Sequence, residues 1–316
     1  MSRRTGAAAL AILLAVMLAG CTGGHHTAET APSSGSAARP GTASTAPSAP
    51  SASDRLQHVV VIVDENKPAT SVVGNSAAPY LNSLAHAYAL ARQYSAITHP
   101  SLPNYLALTS GTTAGITSDC NPPGGSCLVT GPNIAQAIDH AGLTWKMYAE
   151  SMPAPCTTAN TSLYAVKHNP FLYFPSVTGD ARYCSSHDVP YTQFAADLAS
   201  EATLPTYSFI SPNLCNDMHD CSIATGDAWL AAAVPRILAS PAFTKQRSLL
   251  IVTFDEGDAS DNVIPCIFAG PAARPHAVST SAFTHYSLLR TIEDQLGLAP
   301  LTGQDAAAPP MTALLR

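Results

Sequence analysis

Apolar positions in this chain follow two periods in turn. His58-Val59-Val60-Val61-Ile62-Val63 is a continuous run, the pattern of a strand buried on both faces, and it stops abruptly at Asp64-Glu65-Asn66. From Ala77 to Arg92, residues Leu81, Leu84, Ala85, Tyr88 and Ala91 recur at helical spacing and predict a helix. A short strand, Tyr94–Ile97, and a helix opening near Ser101 follow. Further on, the pattern predicts a helix around Asn133–His140, a strand over Leu143–Tyr148, and an irregular segment over 150–190. It then predicts a helix near Gln193–Glu201, a strand over Thr206–Ile210, and a longer helix over 225–239. Strands over Ser248–Phe254 and Val263–Phe268 and a last helix running through Leu296 complete the series. Strands alternating with helices predict an α/β domain, its largely parallel sheet flanked by helices on both faces.

The polar residues fall where such a sheet binds ligands. Glu65, Asn66, Ser101, Asn213, Asp217, His219, Asp255 and Glu256 all follow the carboxyl ends of expected strands. Glu65, Asn66, Asp255 and Glu256 bring three carboxylates and an amide oxygen to one edge. Without a cation they would repel, so a divalent metal ion is expected among them. Oxygen ligands alone favour Mg²⁺, Ca²⁺ or Mn²⁺; adding His219 or His285 would suit zinc or iron.

Ser101 begins the apolar segment Ser101-Leu102-Pro103-Asn104-Tyr105-Leu106-Ala107-Leu108, with Pro103 in the tolerant first turn. This is the position of a helix cap, facing unpaired N–H groups and the positive end of the helix dipole. Such a place holds a phosphate, and a hydroxyl there faces its phosphorus. A metal touching Ser101 would lower the pKa of the hydroxyl and activate its oxygen.

Composition adds the setting. Arg3 and Arg4 precede an apolar run from Ala7 to Ala19 that meets Leu18-Ala19-Gly20-Cys21, the form of a secretory signal. A cysteine in that place resembles a bacterial lipoprotein box, so residues 1–21 are expected to be a signal and Cys21 to carry lipid. The protein would then be exported and anchored on the outer face of the cell membrane, or released from it. Residues 22–54, rich in Ser, Thr, Ala, Pro and Gly, read as a tether, which leaves 55–316 as the catalytic domain. Formal charge is −6 over 316 residues, and losing Arg3 and Arg4 with the signal would make it −8. No basic cluster follows, so a nucleic-acid partner is not expected. Cys120–Cys127, Cys215–Cys221 and Cys156–Cys184 are the expected disulfides of an exported chain, although spacing alone does not fix their connectivity. Cys266 is expected to be a buried thiol.

Several ordered blocks carry a resemblance: the strand ending Glu65-Asn66; His99-Pro100-Ser101-Leu102-Pro103-Asn104-Tyr105; Lys167-His168-Asn169-Pro170-Phe171; Pro212-Asn213 through Asn216-Asp217-Met218-His219-Asp220; Gly226-Asp227-Ala228-Trp229; Asp255-Glu256; and Ile264-Pro265. From about His58 to Leu298 the chain resembles the bacterial phosphoesterase family of acid phosphatases and phospholipases C, within the alkaline-phosphatase-like superfamily. It looks closest to the short secreted acid phosphatases, some of which act on phosphoinositides. The resemblance implies Glu65, Asn66, Ser101, Asp255, Glu256 and Asp217 as metal ligands and Ser101 as the nucleophile of a phosphoserine intermediate. It implies catalytic roles for His219 and for His168, the latter at the rim, and substrate contacts for Asn104, Asn213 and His285. Tyr105 stands where sulfatases of the superfamily carry arginine, so sulfate-ester hydrolysis is not expected. The expected substrate is a phosphorylated small molecule or phospholipid headgroup, cleaved as a phosphate monoester. The alternatives are a phospholipase C-type phosphodiesterase and a surface lipoprotein that binds a phosphorylated ligand without turnover. The segment Gly74-Asn75-Ser76 resembles a hydrolase serine elbow only weakly, since the preceding strand is poor.

Overall fold

The computed structural model describes residues 54–258 and 261–316. The expected signal segment, Cys21 and the tether up to residue 53 lie outside the described residues. Eight strands form one sheet: β1 (His58–Asp64), β2 (Ala89–Ser95), β3 (Trp145–Ala149), β4 (Asp188–Pro190), β5 (Tyr207–Ser211), β6 (Ser248–Phe254), β7 (Cys266–Ala269) and β8 (Ala277–Thr284). Their spatial order is β4-β3-β5-β1-β6-β7-β2-β8. All pairings are parallel except those of β7, which runs antiparallel to both β6 and β2. β1 lies in the middle, pairing Val59 with Tyr207 on one side and His58 with Ser248 on the other. All seven of its residues are buried, as the apolar run predicts. Each fully buried Val or Ile side chain there contributes roughly 1.5–3 kcal/mol.

The expected α/β architecture is present, with several local differences, among them the helix Ala181–His187 and strand β4 within the segment read as irregular. The helix predicted over Ala77–Arg92 spans Pro79–Ala87, and the next residues turn into β2. Pairing with β7 and β8 outweighs the helical propensity of Leu, Ala, Arg and Gln in that stretch. The helix near Gln193–Glu201 is reduced to Phe194–Asp197. The polar strand β8 has no counterpart among the sequence-predicted elements; it borders the sheet and buries few of its residues. No helix among the described residues is long and apolar enough to cross a membrane.

All three expected disulfides are formed, Cys120–Cys127, Cys156–Cys184 and Cys215–Cys221, and Cys266 is a buried free thiol. The helix Ile223–Leu238 is fastened to the rest of the domain by Asp227, whose carboxylate accepts from Tyr80 N at 3.0 Å and Leu81 N at 2.8 Å. That carboxylate caps the Pro79–Ala87 helix from outside, satisfying N–H groups its own first turn leaves free.

The C-terminal helix His285–Leu296 carries a buried carboxyl, Glu293, hydrogen-bonded to Asp305. Burial, then this contact, raises the pKa of Glu293 to about 9. Below the ordinary glutamate pKa both folded and unfolded chains hold the proton, and the contribution to stability is complete. Between there and about 9 the folded chain alone holds it, so stability falls as pH rises. Glu293→Gln, whose amide can still donate to Asp305, should flatten that decline. Urea midpoints measured from pH 5 to pH 9.5 will show it, and equal slopes in both proteins would refute the shared proton.

Candidate active site

The site lies where β1, β2, β5 and β6 end. The chain leaves β1 at Asp64 directly into Glu65, and Glu65 N donates to Asp217 O at 2.8 Å. Asp255 N, just beyond β6, donates to Asp64 O at 2.9 Å, and Asn66 N to Asp255 Oδ1 at 3.0 Å. These backbone bonds extend the sheet by one residue and bring Glu65, Asp217 and Asp255 together. All three are buried.

Ser101 is the first residue of the helix Ser101–Ser110, every residue of which is buried. Pro100, not Ser101, occupies the capping position. This departs from the expected cap and frees the hydroxyl for other partners. Ser101 Oγ donates to Glu65 Oε2 at 3.2 Å and receives Lys167 Nζ at 3.4 Å. Lys167 Nζ pairs with Asp119 Oδ2 at 3.1 Å, while Asp119 Oδ1 accepts from Leu102 N at 3.2 Å, taking over a free N–H of the helix start. Below Ser101, Tyr105 OH donates to Glu65 Oε1 at 2.5 Å and its ring stacks on His168, centroids 5.4 Å apart.

His168 is buried between two carboxylates, with Nε2 3.1 Å from Glu65 Oε1 and Nδ1 3.3 Å from Asp217 Oδ2. Burial, with the charge of Lys167, holds its pKa well below the usual histidine value, so the ring is neutral. A neutral imidazole has one N–H and cannot donate to both carboxylates. His168 Nε2, Asp217 Oδ2 and Asp255 Oδ2 are buried without a hydrogen-bond partner. Burial pushes the carboxyls up, Asp217 to about 7 and Asp255 to about 6, and Glu65 well above its ordinary value with Asp255 and Asp217 adding repulsion. Orphaned oxygens, an imidazole short of a proton and crowded carboxylates fit a divalent cation. Glu65, His168 and His219 each offer an atom within 4.8 Å of the others. His219 is part-exposed; its backbone N donates to Asp217 Oδ1 at 2.7 Å, and its Nδ1 lies 2.7 Å from Asp220 Oδ1. An open depression of about 400 Å³, lined by Asn66, His99, Glu256, Gly257 and Asp258, adjoins this cluster.

A sequence model of the Phosphoesterase family matches residues 72–299, most of the chain. The chain belongs to the Phosphoesterase family. It is 42% identical over 257 residues to phosphatidylinositol-3-phosphatase of Mycobacterium tuberculosis, spanning 81% of each protein. It is 34% identical over 244 residues to the phosphate-repressible acid phosphatase of Penicillium chrysogenum, covering 72% of this chain and 57% of that one. The chain thus spans little more than half of that fungal relative. Among solved structures, an alkaline phosphatase superfamily protein from Vibrio parahaemolyticus superposes with a TM-score of 0.55 at 14% identity, covering 81% of this chain and 70% of that one. The fold is that of the alkaline phosphatase superfamily, and this member of the Phosphoesterase family is a phosphoric ester hydrolase.

The geometry sorts the residues expected of a phosphoesterase. Glu65, Ser101, Asp217, Asp255, His168 and His219 come together. His168 lies beneath the cluster, not at the rim where it was expected. Glu256 is turned aside: its Oε2 accepts from Asn104 Nδ2 at 3.1 Å and meets His99 Nδ1 at 3.0 Å. Three expected substrate contacts are occupied with holding the frame. Asn104 Oδ1 accepts from Ile97 N and Thr98 N, and Nδ2 donates to Thr98 O and Pro100 O, so this amide fixes the loop before Ser101. Asn213 Oδ1 accepts from Cys215 N and Asn216 N, and Nδ2 donates to Ser151 Oγ. His285 is fully buried; Nε2 donates to Asp255 O at 2.6 Å, which leaves Nδ1 to accept from Tyr94 OH at 2.8 Å. Its ring positions Asp255. Burial lowers its pKa to about 4, keeping it neutral.

Lys167, Asp119 and Glu150 are the site residues that pattern reading did not single out, and Tyr105 was singled out only as standing in place of an arginine, not as a partner of Glu65. Glu150, just beyond β3, accepts from Asn213 N, Asn216 Nδ2 and Trp229 Nε1 and so braces the loop bearing Asp217 and His219. The Gly226-Asp227-Ala228-Trp229 block packs against the same loop. A Cβ on Gly226 would come within 2.7 Å of Asn216 O, so only glycine lets the helix approach. Lys167 stands in the block Lys167-His168-Asn169-Pro170-Phe171, which was the available signal.

Proposed function

We propose that this protein is an exported, lipid-anchored, metal-dependent phosphomonoesterase that acts through a phosphoserine on Ser101, with phosphoinositide headgroups among its substrates. The observation that carries the reading is Ser101 Oγ at the start of a buried helix, in contact with Glu65 and Lys167. The 42% identity to a phosphatidylinositol-3-phosphatase supports the headgroup, and the relatedness to acid phosphatases supports the monoester. The signal-like start of the sequence and Cys21 support export and anchoring.

Glu65, Asp217 and Asp255 would hold a divalent ion, with Asn66, Ser101, His168 and Glu256 bordering it. Such an ion supplies charge neutralisation and a lowered pKa for the serine hydroxyl. The chain's own groups do the rest. N–H groups at the helix start and Lys167 orient the phosphoryl group. As the Oγ–P bond forms and the ester P–O bond breaks, the Ser101 proton passes to Glu65 Oε2. His219, held through Nδ1 by Asp220, gives a proton to the departing oxygen. In the second half His219 takes a proton from the water that attacks phosphorus, and the Oγ–P bond breaks as Glu65 returns its proton to Ser101. Inorganic phosphate leaves.

The test is phosphate release from vesicles containing phosphatidylinositol 3-phosphate, compared with p-nitrophenyl phosphate and its bis-ester. Turnover of both monoesters exceeding that of the diester is expected. Diester turnover dominating would replace this reading with the phospholipase C-type one.

A further inference from the structure

We infer that Lys167, held by Asp119, is a catalytic residue that selects phosphate monoesters over diesters; this rests on the reading of Ser101 as nucleophile. An ammonium group has three donors. In Lys167 one is directed at Asp119 Oδ2 and another at Ser101 Oγ. The side chain is 15% exposed and its head faces the nucleophile, not solvent. The oxygens of a phosphoryl group attached to Oγ lie closer to Oγ than Nζ does, so one of them comes within hydrogen-bond reach of the ammonium.

What that oxygen carries separates the two ester classes. A monoester dianion has three non-bridging oxygens and two charges; a diester has two such oxygens and one charge. The carboxylates of Glu65, Asp217 and Asp255 share the site and, even with a divalent ion held among them, oppose each added negative charge. A fixed cation beside Ser101 offsets this penalty most for the ligand with the extra charge. Asp119 sets where the cation sits. Its Oδ1 is tied to Leu102 N, one residue from Ser101, so the ammonium and the nucleophile share one anchor on the helix start. The neighbouring Cys120 is fixed by its bond to Cys127 and by Tyr173 OH donating to Cys120 O at 3.0 Å. Lys167 is therefore placed by a braced carboxylate and does not swing freely like a surface lysine. Asp119 is a positioning residue in this scheme.

The experiment compares kcat/KM for p-nitrophenyl phosphate and bis-p-nitrophenyl phosphate in the full chain and in Lys167→Met, Lys167→Arg and Asp119→Asn. The competitive inhibition constant of inorganic phosphate serves as a second measure of dianion affinity. Lys167→Met should lose about 10²-fold in monoester kcat/KM, less than about 10-fold in diester kcat/KM, and bind phosphate at least about 10-fold more weakly. Lys167→Arg should restore part of the monoester preference. Asp119→Asn should lower the monoester-to-diester ratio several-fold, and carries the test if Lys167→Met fails to fold by thermal unfolding. Equal losses on both substrates, or an unchanged ratio with unchanged phosphate inhibition, would overturn the inference while leaving Ser101 as nucleophile. Turnover that survives Ser101→Ala would instead overturn the reading on which it rests.

Discussion

Replacing Ser101 by alanine should reduce phosphomonoester turnover by about 10⁴-fold or more, because the oxygen that forms the covalent bond is gone. Ser101 is buried, and its oxygen has contacts with Glu65 and Lys167 that no water placed there would reproduce in orientation. The variant should still fold, since alanine fits the helix interior and removes a single oxygen. Acid quenching of the wild-type protein with substrate should leave phosphate on the peptide bearing Ser101, and the variant should show none. A phosphate adduct on another residue, or activity in Ser101→Ala, would refute Ser101 as nucleophile.

Glu65→Gln should have effects of opposite sign in the presence and absence of a divalent ion. Glu65 is fully buried among Ser101, Tyr105, His168 and Asp255, and when the ion is missing its burial and its repulsion by Asp255 and Asp217 are offset only in part, by Lys167 and the Tyr105 hydroxyl. Removing its charge should leave the metal-free protein as stable as the wild type, or more so. A ligand that binds the folded state alone stabilises it by RT ln(1 + [L]/Kd), about 2.7 kcal/mol at a hundredfold excess over Kd. Thermal unfolding with added Mg²⁺, Ca²⁺, Mn²⁺ or Zn²⁺ should therefore raise the midpoint of the wild type and not that of Glu65→Gln. Activity of the variant should fall by about 10³-fold. An equal midpoint rise in both proteins would place the ion elsewhere.

How far these residues were legible depends on what kind of fact each one is. β1 and β6 announced themselves because a central parallel strand must be apolar on both faces, and the carboxylates that follow them could only meet at one edge of the sheet. Glu65 and Asp255 were readable for that reason, and Ser101 and Asp217 because they too follow strand ends, those of β2 and β5. The three cysteine pairs are those expected, although spacing alone left their connectivity open and only the fold brings the partners together. Only the end of β2, from Tyr94, read as strand; its earlier Ala, Leu, Arg and Gln suit a helix equally, and pairing with β7 and β8 decides the matter only in three dimensions. Amide side chains were the least legible. Asn104 and Asn213 look like ligand contacts in the sequence, but an amide bonds backbone as readily as substrate, and here both hold loops. Lys167 was overlooked for the converse reason: its meaning lies in Asp119, 48 positions away.

The central position of β1 also governs the order in which the chain can assemble. This strand is the first to be synthesised, yet its two hydrogen-bonded neighbours begin at Tyr207 and Ser248. Until the ribosome has passed the first of these, both edges of this fully buried strand are open, and one stays open until it has passed the second. Such an edge is a template for pairing with other chains, and closing loops of this length makes folding slow. A chain of this topology gains from being held unfolded until synthesis is complete, a condition that the proposed export through a membrane as an extended polypeptide would supply.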